Sequence, residues 1–237
     1  MDADYRRCRK SAFSALLGPH GLAEFCRERL LELIVSYAAP RKDPRAVSER
    51  LLKRFRGIRG VFDASPEELR TEGSLGEDGI VLVKLFKEMA GAYLKERTIG
   101  QDTEAGMADL LDYLCLTLSG ERVEKFLAVY MGFRKEIISI DVLHEGTINQ
   151  TVVYPRKAIE MAFRHNARSV IFVHNHPSGD PTPSSQDRQL TRVLDRAAAA
   201  VDILVLDHLI IGSDRHWSAR ENGWSMGLPF NCIAASP

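Results

Sequence analysis

The chain has 237 residues, of which 32 are basic and 32 acidic, so its formal net charge at pH 7 is zero. This length allows one large domain or two small ones and is sufficient to bury an apolar core. Neutrality argues against a dedicated polyanion-binding protein, although it leaves room for a local basic patch.

Basic side chains are concentrated in the first sixty residues, where they are about twice as frequent as acidic ones. A DNA contact, if the protein makes one, is therefore expected through basic N-terminal helices. The commoner explanation for such a distribution is a set of solvated helix faces. The basic residues are Arg6, Arg7, Arg9, Lys10, Arg27, Arg29, Arg41, Lys42, Arg45, Arg50, Lys53, Arg54, Arg56 and Arg59.

Cysteine usage and hydropathy lead us to expect a cytoplasmic protein with no membrane partner. The four cysteines form no C-x-x-C pair, which favours a reducing compartment and argues against a cysteine-built zinc site. The N-terminal stretch MDADYRRCRKSAF lacks the apolar segment of a secretory signal. The strongest apolar run, ILVLDHLIIG, is interrupted by Asp207 and His208 and is too short to cross a bilayer.

Apolar spacing up to about residue 97 predicts a small all-helical domain. Pro44 after Asp43 is typical of a helix start, and Ser65 followed by proline and two glutamates predicts another. The small polar stretch TIGQDTEAGMA predicts a linker over residues 98–108. We place the helical domain at residues 1–105. Its predicted helices are 21–38, 44–55, one opening after Ser65, and 80–96.

Strand patterns begin after Gly120, where apolar and β-branched residues alternate or run together. Strands and helices then follow in alternation, which indicates an α/β layer built on a central sheet over residues 106–230. A hairpin turn is expected near residues 133–135. The predicted strands are FLAVYMG, IISIDVLHEG, TVVYP, SVIFVHN and ILVLDHLIIG. The predicted helices are ADLLDYLCLTLSG, directly after the linker, PRKAIEMAFRHNA and PSSQDRQLTRVLDRAAAAV.

The segment VHNHPSGDPTPSSQD carries the candidate chemistry. His174 and His176 are two residues apart at a strand end, so their side chains point to the same face. Pro177 ends the strand, and Ser184 with Asp187 opens the next helix. Taken alone, S-x-x-D at a helix start is more often a capping box than a site.

The histidines favour a metal site over a simple cap. Two imidazoles and the carboxylate of Asp187 form a three-ligand set with a fourth position for water, which is typical of catalytic zinc. The same set also suits ferrous iron, although we expect zinc. A general base is then needed, and Glu124 and Glu145 are the candidates because both lie beside a predicted strand. Ser184 is a candidate oxyanion donor, if its capping role permits.

These residues resemble a known family. HNHPSGDPTPSSQD matches the JAMM (MPN-plus) metallopeptidase motif H-x-H-P-x6-S-x-x-D throughout. With Gly146-Thr147, YPR at 154–156, LDH at 206–208 and the later S-x-R-E-x-G, the chain resembles the bacterial RadC family over residues 110–226. The resemblance implies a cytidine-deaminase-like layered α/β fold with flanking helices. It also implies that His174, His176 and Asp187 bind Zn²⁺.

The resemblance further implies catalytic roles for Glu124, as the upstream glutamate, and for Ser184. It implies hydrolysis of peptide or isopeptide bonds in a peptide or protein substrate, while the family also carries a historical DNA-repair label. Two alternatives stay open: a nucleic-acid-binding protein or metal-dependent nuclease, and a non-catalytic scaffold. The N-terminal half resembles a degenerate form of the family's helix-hairpin-helix domain, whose G-x-G turn binds phosphate. Ser74 stands where the first glycine is expected, and the acids Glu77 and Asp78 follow the second. Lys157 departs as well, replacing a common glutamate.

Other candidates have weaker signals. His208 either supports the metal site from outside its ligands or is a satisfied core histidine. His144 and His216 lack ligand spacing, and His20 and His165 are expected at the surface. Arg156 is a candidate for a substrate carboxylate, although a backbone carbonyl is its commoner partner. Trp217 and Trp224 are expected as core or interface anchors.

Overall fold

The protein is described by a computed structural model that covers residues 2–73, 75–146 and 154–226. Side chains of residues 2–5 and 103–105 are not described. Contacts divide the chain into two compact units, residues 1–90 and 91–237. The division falls inside the helix Glu77–Thr98 and not at the predicted residue 105, so the domain boundary at residue 105 stays a prediction.

The first unit is helical, as the apolar spacing predicted. Its core contains Leu31, Val35, Leu51 and Leu69, all fully buried. The predicted helix over residues 44–55 has those bounds, because the Asp43 side chain accepts a hydrogen bond from the Arg45 amide at 3.0 Å. The helices are α1 (Asp2–Leu16), α2 (Arg27–Ala38), α3 (Pro44–Phe55), α4 (Ile58–Asp63), α5 (Pro66–Thr71) and α6 (Glu77–Thr98).

The predicted linker over residues 98–108 is largely wrong. Helix α7 (Thr103–Leu118) begins inside it, so only residues 99–102 separate α6 from α7. The predicted helix ADLLDYLCLTLSG is confirmed, but the small polar residues before it concealed the first turn of α7, whose buried face appears only further on, at Leu110 and Leu114.

The second unit contains a five-stranded sheet with the order β2-β1-β3-β4-β5. Only β3 and β4 are parallel, and the other neighbouring pairs are antiparallel. The strands are β1 (Glu124–Met131), β2 (Ile137–Gly146), β3 (Ser169–Asn175), β4 (Leu204–Ile211) and β5 (His216–Ser218), and the helices beside them are α7, α8 (Pro155–Arg164) and α9 (Ser185–Ala199).

Helices cover both faces of the sheet. One face buries Phe126, Tyr130 and Phe172 against α8 and α9, and the other packs on α7. The central strand β3 is therefore buried along its whole length, which explains its continuous apolar run. The layered α/β architecture with a preceding helical region is confirmed.

Smaller features qualify the predicted elements. The hairpin turn is confirmed, since the Gly132 amide bonds to the Glu136 carbonyl at 2.9 Å and Lys135 adopts a left-handed φ of 63°. The three-residue strand β5 was not predicted. The expected strand TVVYP lies mostly outside the described residues, as do Ser74 and Thr147. Among the helices described, none has the length and apolar character needed to cross a bilayer.

Candidate metal centre

The centre forms where β3 ends. His174 is fully buried near the end of β3, and its ring stacks on Phe126 with centroids 5.9 Å apart. His176 is the first residue beyond the strand, and its amide still bonds to the carbonyl of Ile211 on β4 at 3.0 Å. The extended backbone therefore keeps both imidazoles on one side of the sheet, as the H-x-H spacing predicted.

Three side chains converge there. His174 Nε2 lies 3.0 Å from His176 Nε2 and 3.3 Å from Asp187 Oδ1, and His176 Nε2 lies 3.5 Å from Asp187 Oδ2. A tetrahedral zinc ion with bonds of about 2.0–2.2 Å holds its ligand atoms about 3.3–3.6 Å apart. The two histidine–aspartate distances match this spacing, the histidine–histidine distance is slightly shorter, and the donor set suits such an ion. Within the described part of the chain, this is the single group with metal-binding spacing.

Asp187 serves the helix and the centre together. The Ser184 amide donates to Asp187 Oδ2 at 2.7 Å, and the Asp187 amide donates to Ser184 Oγ at 3.2 Å, which completes a capping box at the start of α9. The box leaves Oδ1 directed at His174. It also uses Ser184 Oγ as an acceptor, so the hydroxyl hydrogen remains available. The capping and chemical roles are thus compatible, contrary to the competition expected from sequence.

The loop after β3 orients His176. Its Nδ1 lies 2.7 Å from the backbone carbonyl oxygen of Asp180. A carbonyl only accepts hydrogen bonds, so Nδ1 donates and the lone pair of a neutral ring lies on Nε2. The Asp180 carboxylate in turn accepts from Thr182 and Arg215, which fixes the loop.

Two further side chains, those of His208 and Thr191, continue the network behind His174. Its Nδ1 lies 2.9 Å from His208 Nε2, and His208 Nδ1 lies 2.5 Å from Thr191 Oγ1. The Thr191 hydroxyl also lies 2.7 Å from the carbonyl oxygen of Asp187. His208 therefore supports the centre from outside the ligands, which was one of the two readings of its sequence. Thr191 had no sequence signal beyond its helix.

Electrostatics favour positive charge at the centre. A hydrogen bond with Asp187 raises the pKa of His176, against burial, which lowers it. Burial raises the pKa of Asp187, but hydrogen bonds with His174, His176 and Ser184 outweigh it and hold that pKa far below its ordinary value. The pKa of His208 is held well below its ordinary value, chiefly by complete burial, so this ring is neutral.

Of the two candidate bases, Glu124 faces the ligands. The register places Phe126 opposite His174, and alternate residues of β1 share a face, so Glu124 lies on the side of the centre. Burial raises the pKa of Glu124, and the charges of His174, Asp187 and His176 act on it. Glu145 instead pairs with Lys125 at 3.5 Å, with its side chain 58% exposed.

Asn175, between the two histidines, holds the start of β1. Its Oδ1 accepts from the Lys125 amide at 2.8 Å, and its Nδ2 donates to the Val123 carbonyl at 3.2 Å. These bonds straddle Glu124. This role was not predicted, and the one sequence signal for it is a polar residue between the two histidines at the end of an apolar strand.

The remaining candidates lie outside the ligand cluster. His165 is partly buried and bonds to Asp141 at 2.6 Å, so its expected surface position is wrong. Lys157 donates to the Leu143 carbonyl and not to a ligand. The two tryptophan rings contact each other with centroids 4.7 Å apart, as expected of packing anchors. Outside the cluster as well are His20, His144, Arg156 and His216.

Comparison with known proteins gives consistent matches. A family model described as the RadC-like JAB domain matches residues 105–224. A UPF0758 protein of Fusobacterium nucleatum is 32% identical over 211 residues, covering 86% of this chain and 91% of that protein. A UPF0758 protein of Nitrosospira multiformis is 34% identical over 204 residues, with coverage of 86% and 91%. A third, from Pseudoalteromonas translucida, is 34% identical over 194 residues, with coverage of 82% and 87%.

Proposed function

This chain belongs to the RadC family of JAB-domain proteins, and on that premise we propose that it is a zinc-dependent hydrolase of peptide or isopeptide bonds. The observation that carries the proposal is the convergence of His174, His176 and Asp187 with ligand spacing. A metal-dependent hydrolase agrees with the family. We further propose that the metal is zinc and that the substrate is a peptide or protein.

The ligand set suits zinc in a catalytic role. Two imidazole nitrogens and one carboxylate oxygen leave a coordination position open, whereas structural zinc sites are closed by four protein ligands. A bound zinc ion supplies Lewis acidity, which acidifies a coordinated water molecule and polarises a substrate carbonyl. His176 and Asp187 are held by the loop and by the helix cap, so the protein orders these ligands itself.

Glu124 handles the proton in this proposal. Its carboxylate takes a proton from the attacking water and returns it to the departing amine. Burial raises its pKa, which brings its affinity for the proton closer to that required near neutral pH. The Ser184 hydroxyl donates to the carbonyl oxygen as negative charge develops there. An amide substrate suits this pair, because its leaving group needs the returned proton.

Metal analysis combined with hydrolysis tests the proposal. We expect stoichiometric zinc in the purified protein, loss of that zinc in His174→Ala, and retention of it in Glu124→Gln. Hydrolysis of a library of peptides and isopeptide-linked conjugates should be lost in both variants. Glu145→Gln is the matched control and should keep both zinc and activity. Full activity in Glu124→Gln, or iron in place of zinc, would contradict the mechanism or the metal respectively.

A DNA contact through the N-terminal helices has less support. Five of the basic side chains in the first sixty residues pair with carboxylates, and two acids, Glu77 and Asp78, lie in the first turn of α6. Such pairs weaken the positive field that attracts phosphates. The pairs are Arg27–Glu28, Arg29–Glu32, Arg45–Glu49, Arg54–Glu72 and Arg59–Asp63.

A further inference from the structure

A chain of three hydrogen bonds, two of them buried and one partly buried, connects one proposed ligand to another. It runs from the Asp187 carbonyl oxygen to Thr191 Oγ1 at 2.7 Å, then to His208 Nδ1 at 2.5 Å, and from His208 Nε2 to His174 Nδ1 at 2.9 Å. Thr191, His208 and His174 are each at most 1% exposed. The chain crosses from α9 through β4 to β3.

The direction of each bond follows from the first. A carbonyl oxygen only accepts, so the single hydroxyl hydrogen of Thr191 is committed to Asp187. Thr191 Oγ1 must therefore accept from His208, which places a hydrogen on His208 Nδ1. The ring is fully buried and its two nitrogens bond to a hydroxyl and to another imidazole, not to a carboxylate, so burial excludes a second, charging hydrogen. His208 Nε2 then carries a lone pair and accepts from His174 Nδ1. The remaining nitrogen of His174, Nε2, is left as a lone pair directed at the centre.

Aromatic rings around His208 and His174 shield this arrangement of hydrogen bonds from water. Phe126 and Phe172 place their rings 5.6 and 6.5 Å from the His208 ring, both near edge-on. Phe126 also stacks on His174. Because these aromatic rings enclose two fully buried imidazoles, water has little access to supply a substitute partner if one bond is removed.

We propose that Thr191 and His208 are positioning residues that keep the hydrogen of His174 on Nδ1, so that Nε2 stays free to bind the metal. The proposal rests on the proposed function for the identity of His174 as a ligand. The carbonyl of Asp187 starts the chain, so the helix that supplies one ligand also selects the tautomer of another. His176 reaches the same state separately, through the Asp180 carbonyl.

Thr191→Val is the sharpest perturbation, because it removes the hydroxyl while nearly preserving shape. His208 Nδ1 then has no acceptor, which favours the tautomer with the hydrogen on Nε2, donating to His174. The hydrogen of His174 moves to Nε2, where Asp187 Oδ1 lies 3.3 Å away to accept it. A metal must now displace that hydrogen. Loss of an outer partner of a metal-binding histidine typically weakens metal affinity by about 10–100-fold.

The experiment compares wild type, Thr191→Val and the matched control Thr191→Ser, which keeps the hydroxyl. Nitrogen-15 NMR of the histidine rings, in metal-free protein at mildly alkaline pH, reports which nitrogen carries hydrogen. Zinc affinity is measured by competition with a chromophoric chelator. We expect the Nδ1–H tautomer of His174 in wild type and Thr191→Ser, and the Nε2–H tautomer with about 10–100-fold weaker zinc binding in Thr191→Val.

Either of two results overturns the proposal. One is an Nε2–H tautomer of His174 in metal-free wild type, which needs no variant to fold. The other is a folded Thr191→Val protein whose tautomer and zinc affinity equal those of wild type. Failure of the proposed function has a different signature, because absence of peptide hydrolysis leaves the tautomers and the zinc affinities measurable.

Discussion

Replacing Asn175 with aspartate tests whether its amide holds the start of β1. The change puts an oxygen where Nδ2 donates to the Val123 carbonyl, so two acceptors then face each other 3.2 Å apart. The bond from the Lys125 amide to Oδ1 is kept. Asn175 is 1% exposed, and leaving one buried acceptor without a donor costs about 1–3 kcal/mol, or more when the acceptor is a charged carboxylate. We therefore expect the free energy of unfolding at pH 7 to fall by at least about 1–3 kcal/mol.

Catalysis should fall further than metal binding in Asn175→Asp. The two bonds of Asn175 straddle Glu124, so the variant shifts the base without touching a ligand atom. A displacement of about 1 Å in a reacting group costs up to about 100-fold in rate. We therefore expect stoichiometric zinc with hydrolysis reduced by about 10–100-fold.

Urea unfolding followed by tryptophan fluorescence measures the stability change. The chain has two tryptophans, Trp217 and Trp224, and both lie in the second unit. Asn222→Asp is the matched control, since Asn222 Nδ2 also donates to a carbonyl, that of Ser218 at 2.7 Å, but from an exposed position. The control should change stability by less than about 0.5 kcal/mol. If Asn175→Asp behaves like this control in both stability and rate, the two side-chain hydrogen bonds of Asn175 are not what holds Glu124 in place.

Three further outcomes are expected. Glu124→Gln should stabilise the metal-free protein at pH 7, because burial raises the pKa of Glu124 above its unfolded value and the folded state resists ionisation. The stability of the wild-type protein therefore falls as pH rises above 4.5. The urea midpoints of wild type and variant should accordingly converge at pH 4 and below. A gap between them that stays constant with pH would contradict this reasoning. Ser184→Ala should lose about 0.5–2 kcal/mol of stability with the helix cap and about 100–1,000-fold in hydrolysis rate. Ser184→Thr keeps the hydroxyl and should largely restore both in the same assays. An unchanged rate in the alanine variant would contradict the oxyanion role. Phe172→Ala should lower the free energy of unfolding in urea by about 3–5 kcal/mol. The ring is 1% exposed and packs on Phe126, with ring centroids 5.8 Å apart. A loss below about 1 kcal/mol would mean that the surrounding side chains collapse to fill the cavity.

The elements predicted best from sequence are those whose ends carry a capping residue, a proline or a turn residue. Helix α3 lies between Asp43-Pro44 and a residue in the left-handed conformation, Arg56, and strand β3 stops before Pro177. Strand β5 has three residues and forms by pairing with β4, so no local pattern announced it. The start of α7 was hidden because its first turn is small and polar, and its apolar face depends on a sheet that lies later in the chain.

The candidate site divides in the same way. Two histidines and an aspartate within fourteen residues of chain form a local pattern, and local patterns can be read directly. Glu124 was selected over Glu145 by family resemblance, and the physical reason, strand register, is visible only in three dimensions. Thr191 and Asn175 act through hydrogen bonds to residues 17 and 50–52 positions away, so their own neighbours in sequence carry no trace of the role.

The capping box at the start of α9 affects how variation at this position should be interpreted. The Asp187 carboxylate caps the helix and lies among the candidate metal ligands, so its loss frays the helix terminus as well as removing a candidate ligand. Helix capping is by itself a reason to retain Asp187, whereas the side chain of His176 makes a single hydrogen bond to the backbone of its own loop, at the Asp180 carbonyl. Among divergent relatives, the presence of that histidine is therefore the better indicator of a retained metal centre.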